Sequence, residues 1–400
     1  MSSDAPVPVP LRDDAKVIGL VGLAHASSHF AHLLLPPLFP IFMSEFGVGF
    51  AQLGFLMTVF FIVSGTGQAS AGFLVDRVGA RPVMVASFVC FIAACLAGYW
   101  AQSYAGLMLV AVLAGLGNAP FHPVDFSILN QRVSPARLGY AFSAHGLSGN
   151  LGWALTPVFL LFFTAWQGWR SGYLAAAVMY ALILAVLLAG RAHLKTEVVC
   201  RAPDAPRGSD VAFLKLSVVW WCFAFFLLST MTLAVVQGFA PSIMKAMHGV
   251  SFEAATAVIT AYMLCGAAGM FVGGLVAARM PAASDRVVAW AMGAGAVLIV
   301  AAATGWLGGF GSMAVLAASG FAIGIGGPSR DMMIKKAAPQ GATGRVYGTV
   351  YSGLDIGFAL APLIYGAFMD RGWYATTLAL AAVFLTLSVV AALGVGRRTA

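Results

Sequence analysis

The sequence predicts an all-α membrane protein in which twelve transmembrane helices form two six-helix bundles arranged as a parallel repeat. Three observations predict it. Of 400 residues, 60% are hydrophobic and only 9% are charged, whereas a soluble domain carries about 25% charged residues to face water. Uncharged apolar runs at this density cross bilayers as helices, which satisfy their own backbone polar groups. The stretch from Gly115 to Pro157 returns in outline from Gly320 to Pro362, at one offset of 205 positions. Pro123 then matches Pro328, Gly139 matches Gly344, Asn150 falls on Asp355, and Pro36 and Pro241 keep the same spacing upstream. Two halves of one design follow. The third observation is the placement of the basic residues, described below.

Residues 1–16 are proline-rich with mixed charges and read as a short disordered tail. They lack a basic region followed by a small-residue cleavage site, so no cleaved signal peptide is expected. The first span covers about 17–43 and contains Pro36 and Pro37, which bend a helix by removing backbone donors. Eleven more spans follow at about 50–75, 82–102, 105–131, 139–163, 171–190, 213–241, 252–278, 284–305, 309–330, 345–369 and 373–396. The longest polar interruption begins at Arg191, so residues 17–190 form the first bundle, 191–212 a cytoplasmic linker and 213–400 the second bundle.

Threading these spans places all but three of the 22 Lys and Arg residues on one side, Arg330 included; Arg170, Lys245 and Arg371 fall on the other. By the positive-inside rule both termini are cytoplasmic, in a bacterial-type inner (plasma) membrane. The net charge of +8 is therefore a topology signal and not a nucleic-acid footprint. The five cysteines, Cys90, Cys95, Cys200, Cys222 and Cys265, contain no CxxC pair and read as small core residues.

The loop after the second span reads Gly72-Phe-Leu-Val-Asp76-Arg77-Val-Gly79-Ala-Arg81-Pro82. It resembles the signature loop of the major facilitator superfamily, whose two six-helix halves this repeat matches. Gly72 allows close helix approach, Gly79 a tight turn, and the charged residues Asp76, Arg77 and Arg81 can latch the cytoplasmic ends of the bundles. The matching stretch of the second half, Gly273 to Arg279, lacks the acid. Within the superfamily, Gly115-Leu-Gly-Asn-Ala-Pro-Phe121-His122-Pro123, Gly149-Asn150-Leu-Gly152, Pro157, Ala24-His25, Pro40 and Ser44-Glu45-Phe46 resemble the fosmidomycin-resistance group of bacterial efflux proteins. That group tends to carry an acid directly after its His-Pro. Here Val124 stands there, and Asp125 comes one residue later, turned by about 100° on a helix.

Ionisable groups at membrane depth are the candidate site, because a charge there is costly and normally faces a bundle interior or a wet path. His25, His29 and His32 form one stripe at i, i+4 and i+7. Such a stripe can relay protons, hold an anionic substrate or simply pack against neighbouring helices. The spacing is open to a metal, but no Cys or carboxylate accompanies it, and none is expected. His122 and Asp125, at i and i+3, can share a proton or form a structural pair near the cytoplasmic end. His145 is similarly shallow. Asn118 and Asn150 are further polar groups of the pathway. Asp355, repeat mate of Asn150, is the sole carboxylate deep in the eleventh span. Gln237 is either part of the path or a helix–helix hydrogen bond.

Expected function follows: a monomeric, proton-coupled secondary transporter, favouring efflux of a small organic or anionic compound, with uptake of a small organic anion as the alternative. A membrane-embedded enzyme or sensor is more distant. No HExxH, GxSxG or paired-acid motif is present, the spans leave no room for a soluble signalling domain, and no cofactor is expected. The topology is testable with single cysteines at positions 4 and 400 in intact cells. Both should stay unlabelled by an impermeant reagent until the membrane is opened, and labelling of either from outside refutes the twelve-span orientation.

Overall fold

The computed structural model describes residues 10–198, 209–339, 342–369 and 371–399. The tail before Pro10, and Cys200, Arg201 and Arg207 of the expected linker, lie outside the described residues. Every regular element among the described residues is helical, as a backbone in hydrocarbon must be. The α-helices are α1 (Leu11–His32), α2 (Phe39–Phe46), α3 (Phe50–Val78), α4 (Ala80–Tyr99), α5 (Tyr104–Asn118), α6 (Phe121–Arg132), α7 (Leu138–Gln167) and α8 (Trp169–Ala189) in the first half. The second half holds α9 (Ser217–Gly238), α10 (Ala240–His248), α11 (Phe252–Arg279), α12 (Ser284–Ala303), α13 (Gly308–Ala337), α14 (Thr343–Met369) and α15 (Tyr374–Thr399). They supply twelve spans long and apolar enough to cross a membrane.

The breaks follow the prolines. α1 begins at Leu11, earlier than the sequence suggests, and ends in a 3-10 turn at Pro36–Leu38 before α2. The Leu34 carbonyl beside this break accepts a hydrogen bond from the Tyr173 hydroxyl (2.8 Å) on α8, as a break inside hydrocarbon demands. The fourth span breaks at Ala119 and Pro120, leaving Pro123 in the first turn of α6, where a missing N–H costs no helical bond. The seventh span breaks at Phe239, with Pro241 opening α10. Pro328, the repeat mate of Pro123, lies inside the continuous α13. The repeat is therefore broken in one half and whole in the other.

α3 lies along α14, and α7 packs on α11 and α13, so α3 and α7 of the first half meet α11, α13 and α14 of the second along the seam. The contact is backbone-close towards the Lys/Arg-rich end. A Cβ on Gly72 would collide with the backbone of Gly344 and Arg345. Asp76 reaches across the same seam. Its carboxylate accepts hydrogen bonds from the backbone N–H of Gly344 (3.1 Å) and Arg345 (3.2 Å) and from the Arg345 side chain (2.9 Å). The negative charge sits at the N-terminus of α14, where free N–H groups and the helix dipole favour it. Arg77 and Arg81 are exposed beside it, and Gly79 turns the chain at φ 85°. On the other seam Ser143 donates to the Met270 carbonyl (2.7 Å), with no acid involved. At the opposite end a cavity of about 470 Å³ separates the halves, walled by α1, α3 and α7 on one side and α9 and α14 on the other.

A charge-assisted hydrogen bond is worth about 1.5–3 kcal/mol, so Asp76→Asn should shift the balance towards a form open at the basic end roughly tenfold or more. A cysteine replacing Ser143, 8% exposed, should be shielded in the parent and labelled correspondingly faster in the variant. Equal labelling rates would leave Asp76 only a topogenic loop residue.

Candidate functional site

The halves enclose a central cavity of about 140 Å³, with His25 and His29 from α1, His122 from α6, and His145, Asn150 and Trp153 from α7 in its wall. The i, i+4 stripe of α1 faces α7 because Gly149 leaves room: a Cβ there would lie 2.7 Å from His29 Cε1 and 2.8 Å from His25 Cε1. Apolar walls come from Phe225, Phe226, Met263 and Met292, among others. Concave, largely apolar surface with a few converging polar groups is the form of a small-molecule site.

Each histidine is held differently. The ring of His25 stacks on that of His145 with centroids 3.4 Å apart, and its Nδ1–H donates to the His145 backbone carbonyl (2.8 Å). His25 Nε2 and His29 Nδ1 are buried without a hydrogen-bond partner among the described residues. His122 Nδ1 bonds Gln68 Oε1 (2.5 Å), and its ring stacks on Tyr351 at 4.1 Å. The pairing expected from sequence, His122 with Asp125, is not the one formed. Asp125 bonds His145 Nε2 (3.1 Å) instead. Position three beyond His122 on the short helix α6 turns the carboxylate towards α7. Asp125 and His145 are both buried, at 0% and 4% exposed.

Asp355, 1% exposed, is bonded from the other half. Gln68 Nε2 donates to its Oδ2 (2.8 Å) and Ser64 Oγ to its Oδ1 (3.3 Å). Asn118 Nδ2 donates to Ser64 Oγ (2.8 Å), while Asn118 Oδ1 accepts from Ser28 Oγ (2.6 Å) and bonds His32 Nε2 (3.0 Å). His32 Nδ1 accepts from Trp153 Nε1 (3.3 Å). A carboxylate only accepts, so each donor points towards Asp355 along two arms, one ending at His122 and the other at Trp153. His32 thus joins the network through Asn118. Asn150 instead donates to Met270 Sδ (3.4 Å) of the second half. Gln237 stands apart, in the wall of the larger cavity together with His32 and Trp153.

Arg330 requires a correction. Counted from sequence with the basic end of the tenth span, it lines the central cavity, because α13 runs on to Ala337. Its guanidinium pairs with Asp331 through Nε–Oδ1 (3.0 Å) and Nη2–Oδ2 (3.2 Å) and lies 4.8 Å over the Phe226 ring. Tyr351 donates to Asp331 Oδ1 (2.5 Å). Arg330, Asp331, Tyr351, Gln68 and Ser64 are absent from the sequence-derived set. One signal was there: Arg330 is the 205-position mate of Asp125.

Comparison with known proteins agrees with this architecture. The family model described as Major Facilitator Superfamily matches residues 21–348 and 222–400. The fosmidomycin resistance protein of Escherichia coli K12 is 29% identical over 178 residues, covering 43% of this chain and 42% of its own, so the match spans under half of that relative. The probable nitrate/nitrite transporter NarK2 of Mycobacterium tuberculosis is 25% identical over 366 residues and 90% of both chains. Among solved structures, the proton:xylose symporter XylE superposes with a TM-score of 0.79 at 12% identity, over 95% of each chain. A family match across both repeats, on a twelve-span fold of two such halves, means that the chain belongs to the Major Facilitator Superfamily.

Proposed function

We propose that this secondary transporter exchanges protons for a small organic anion and that its net direction is efflux. The observation that carries the anion is a guanidinium, Arg330, among four imidazoles in the central cavity between the halves. Imidazoles gain positive charge on protonation, and a fixed guanidinium gives planar, two-pronged contact to a carboxylate or phosphonate. Asp331 offsets part of that charge, and an incoming anion would compete with it for Arg330. NarK2, named for nitrate and nitrite, supports an anionic cargo. The resistance protein of Escherichia coli supports efflux.

The basic end is cytoplasmic in this proposal, in an inner membrane, and the chain is a monomer. The seam is then sealed towards the cytoplasm through Asp76, and the larger cavity lies on the outer side. Proton coupling is assigned to His29, His122 and Asp355. Ionised Asp355 is satisfied by Gln68 and Ser64 of the opposite half. Protonated Asp355 would turn one oxygen into a donor facing the Ser64 or Gln68 donor, weakening the seam. Proton binding and closure are thereby linked, which is what alternating access requires. His25, Asn118, Asp125, His145 and Asn150 complete the pathway, and Gln237 belongs to its outer vestibule.

In proteoliposomes, Asp355→Asn should abolish accumulation driven by a pH difference while sparing counterflow at equal pH. His29→Gln and His122→Gln serve in parallel, and if all three still concentrate the compound, the protons travel elsewhere. Charge selectivity is tested separately. Arg330→Gln with Asp331→Asn, which leaves no orphan charge, should raise KM for anionic compounds roughly 10–100-fold, the worth of one charged hydrogen bond. An unchanged KM removes the anion from the proposal. A compound that accumulates inside right-side-out vesicles with the proton gradient directed inwards makes the direction uptake.

A further inference from the structure

Two histidines of the central cavity are prepared in a way that proton transfer does not need. His25 gives its Nδ1–H to a backbone carbonyl, that of His145 (2.8 Å), so its Nε2 carries the lone pair. Gln68 donates to Asp355 through Nε2, which turns its Oε1 to His122. His122 must therefore be protonated on Nδ1, and its Nε2 also carries a lone pair. An imidazole whose far nitrogen is anchored on a carbonyl-type oxygen, leaving a fixed lone pair, is the arrangement of a metal-ligating histidine. His29 supplies a third ring from the same face of α1.

We propose that His25, His29 and His122 bind a divalent transition-metal ion of the zinc class. One ring nitrogen of each lies within 4.8 Å of the other two. Zn–N bonds of about 2.0–2.1 Å at tetrahedral angles bring ligands within about 3.4 Å of one another, so side-chain rotations that close the triangle by at most roughly 1.4 Å complete the site. His25 Nε2 and His29 Nδ1 have no hydrogen-bond partner among the described residues, and His25 is 2% exposed. A buried acceptor without a donor costs free energy that a metal ion would recover. Three imidazoles favour zinc, nickel, cobalt or copper over magnesium or calcium, which prefer oxygen. The fourth position faces the cavity and would take water or an anionic group.

The surrounding charges permit a dication. Arg330 is the fixed cation in the wall, and Asp331 offsets part of its charge through two contacts. Behind His25, His145 is backed by Asp125, whose Oδ1 lacks a partner among the described residues. Protons compete for the same lone pairs, so affinity falls as the medium is acidified. Metal binding is read on resting protein, and it stands whether or not an anion is the cargo.

Cobalt(II) titrated into the full-length protein in detergent at neutral pH should give visible d–d bands that saturate at one ion per chain. His25→Gln and His122→Gln should each weaken binding at least tenfold, and His193→Gln with His248→Gln, outside the cavity, should leave it unchanged. Zinc K-edge absorption on the unaltered protein supplies the ligand set without any variant, and three imidazole nitrogens are expected. No stoichiometric cobalt binding, oxygen- or sulfur-only ligation, or undiminished affinity in the folded His25→Gln/His122→Gln double variant would overturn the site.

Discussion

A carboxylate in the middle of a membrane protein must be answered by donors, and here the donors for Asp355 come from the other half of the molecule. That constraint organises the centre of the structure. Gln68 has one oxygen and one nitrogen, and satisfying Asp355 with the nitrogen leaves the oxygen for His122. Ser64, occupied by Asp355, turns to Asn118 for its own donor, and Asn118 in turn fixes His32. One buried carboxyl group thus orients groups on α1, α3, α5 and α6. Removing it would leave several buried polar atoms facing one another without a reason for their present directions.

The helices were legible in the sequence because hydrocarbon admits few alternatives and apolar length sets each span. The repeat was legible as well, since prolines and glycines keep their spacing across 205 positions. Side-chain partners were not. His122 and Asp125 share α6 at i and i+3, but whether each side chain pairs within the helix or reaches Gln68 on α3 and His145 on α7 depends on how α6 sits against those helices, which a periodicity of 3.6 residues does not encode. Arg330 was misplaced for a related reason. Window hydropathy ends a span at a charge, whereas α13 continues for seven more residues to Ala337. The offset that pairs Asp125 with Arg330 was the better guide.

The repeat is also instructive where its halves differ. Asn150 meets Met270, and Asp355 meets the region of Gly65, which is the repeat mate of Met270. The same pair of positions therefore forms both seams, one with a neutral amide against a thioether and the other with a carboxylate against polar donors. The break in the fourth span, absent from the tenth, places Asn118 and His122 at helix ends in the first half. The histidines of the central cavity are concentrated there, while the second half contributes Arg330, Asp331 and Asp355 facing them. Duplicated architecture has been divided between a half that holds the imidazoles and a half that meets them with a guanidinium and two carboxyl groups.

The close seam at Gly72 and Gly344 has a consequence for reversibility. Where two helices meet backbone to backbone, few long side chains are frozen when they come together, Arg345 on Asp76 being one that is held. Interdigitated surfaces lose rotamer entropy on closing, about 0.5–1.5 kcal/mol for each immobilised flexible side chain. Glycine surfaces escape that loss, so closing and opening differ mainly by the few hydrogen bonds that span the seam. Such a pair of states lies near balance, and a single proton or ligand has enough differential affinity to tip it.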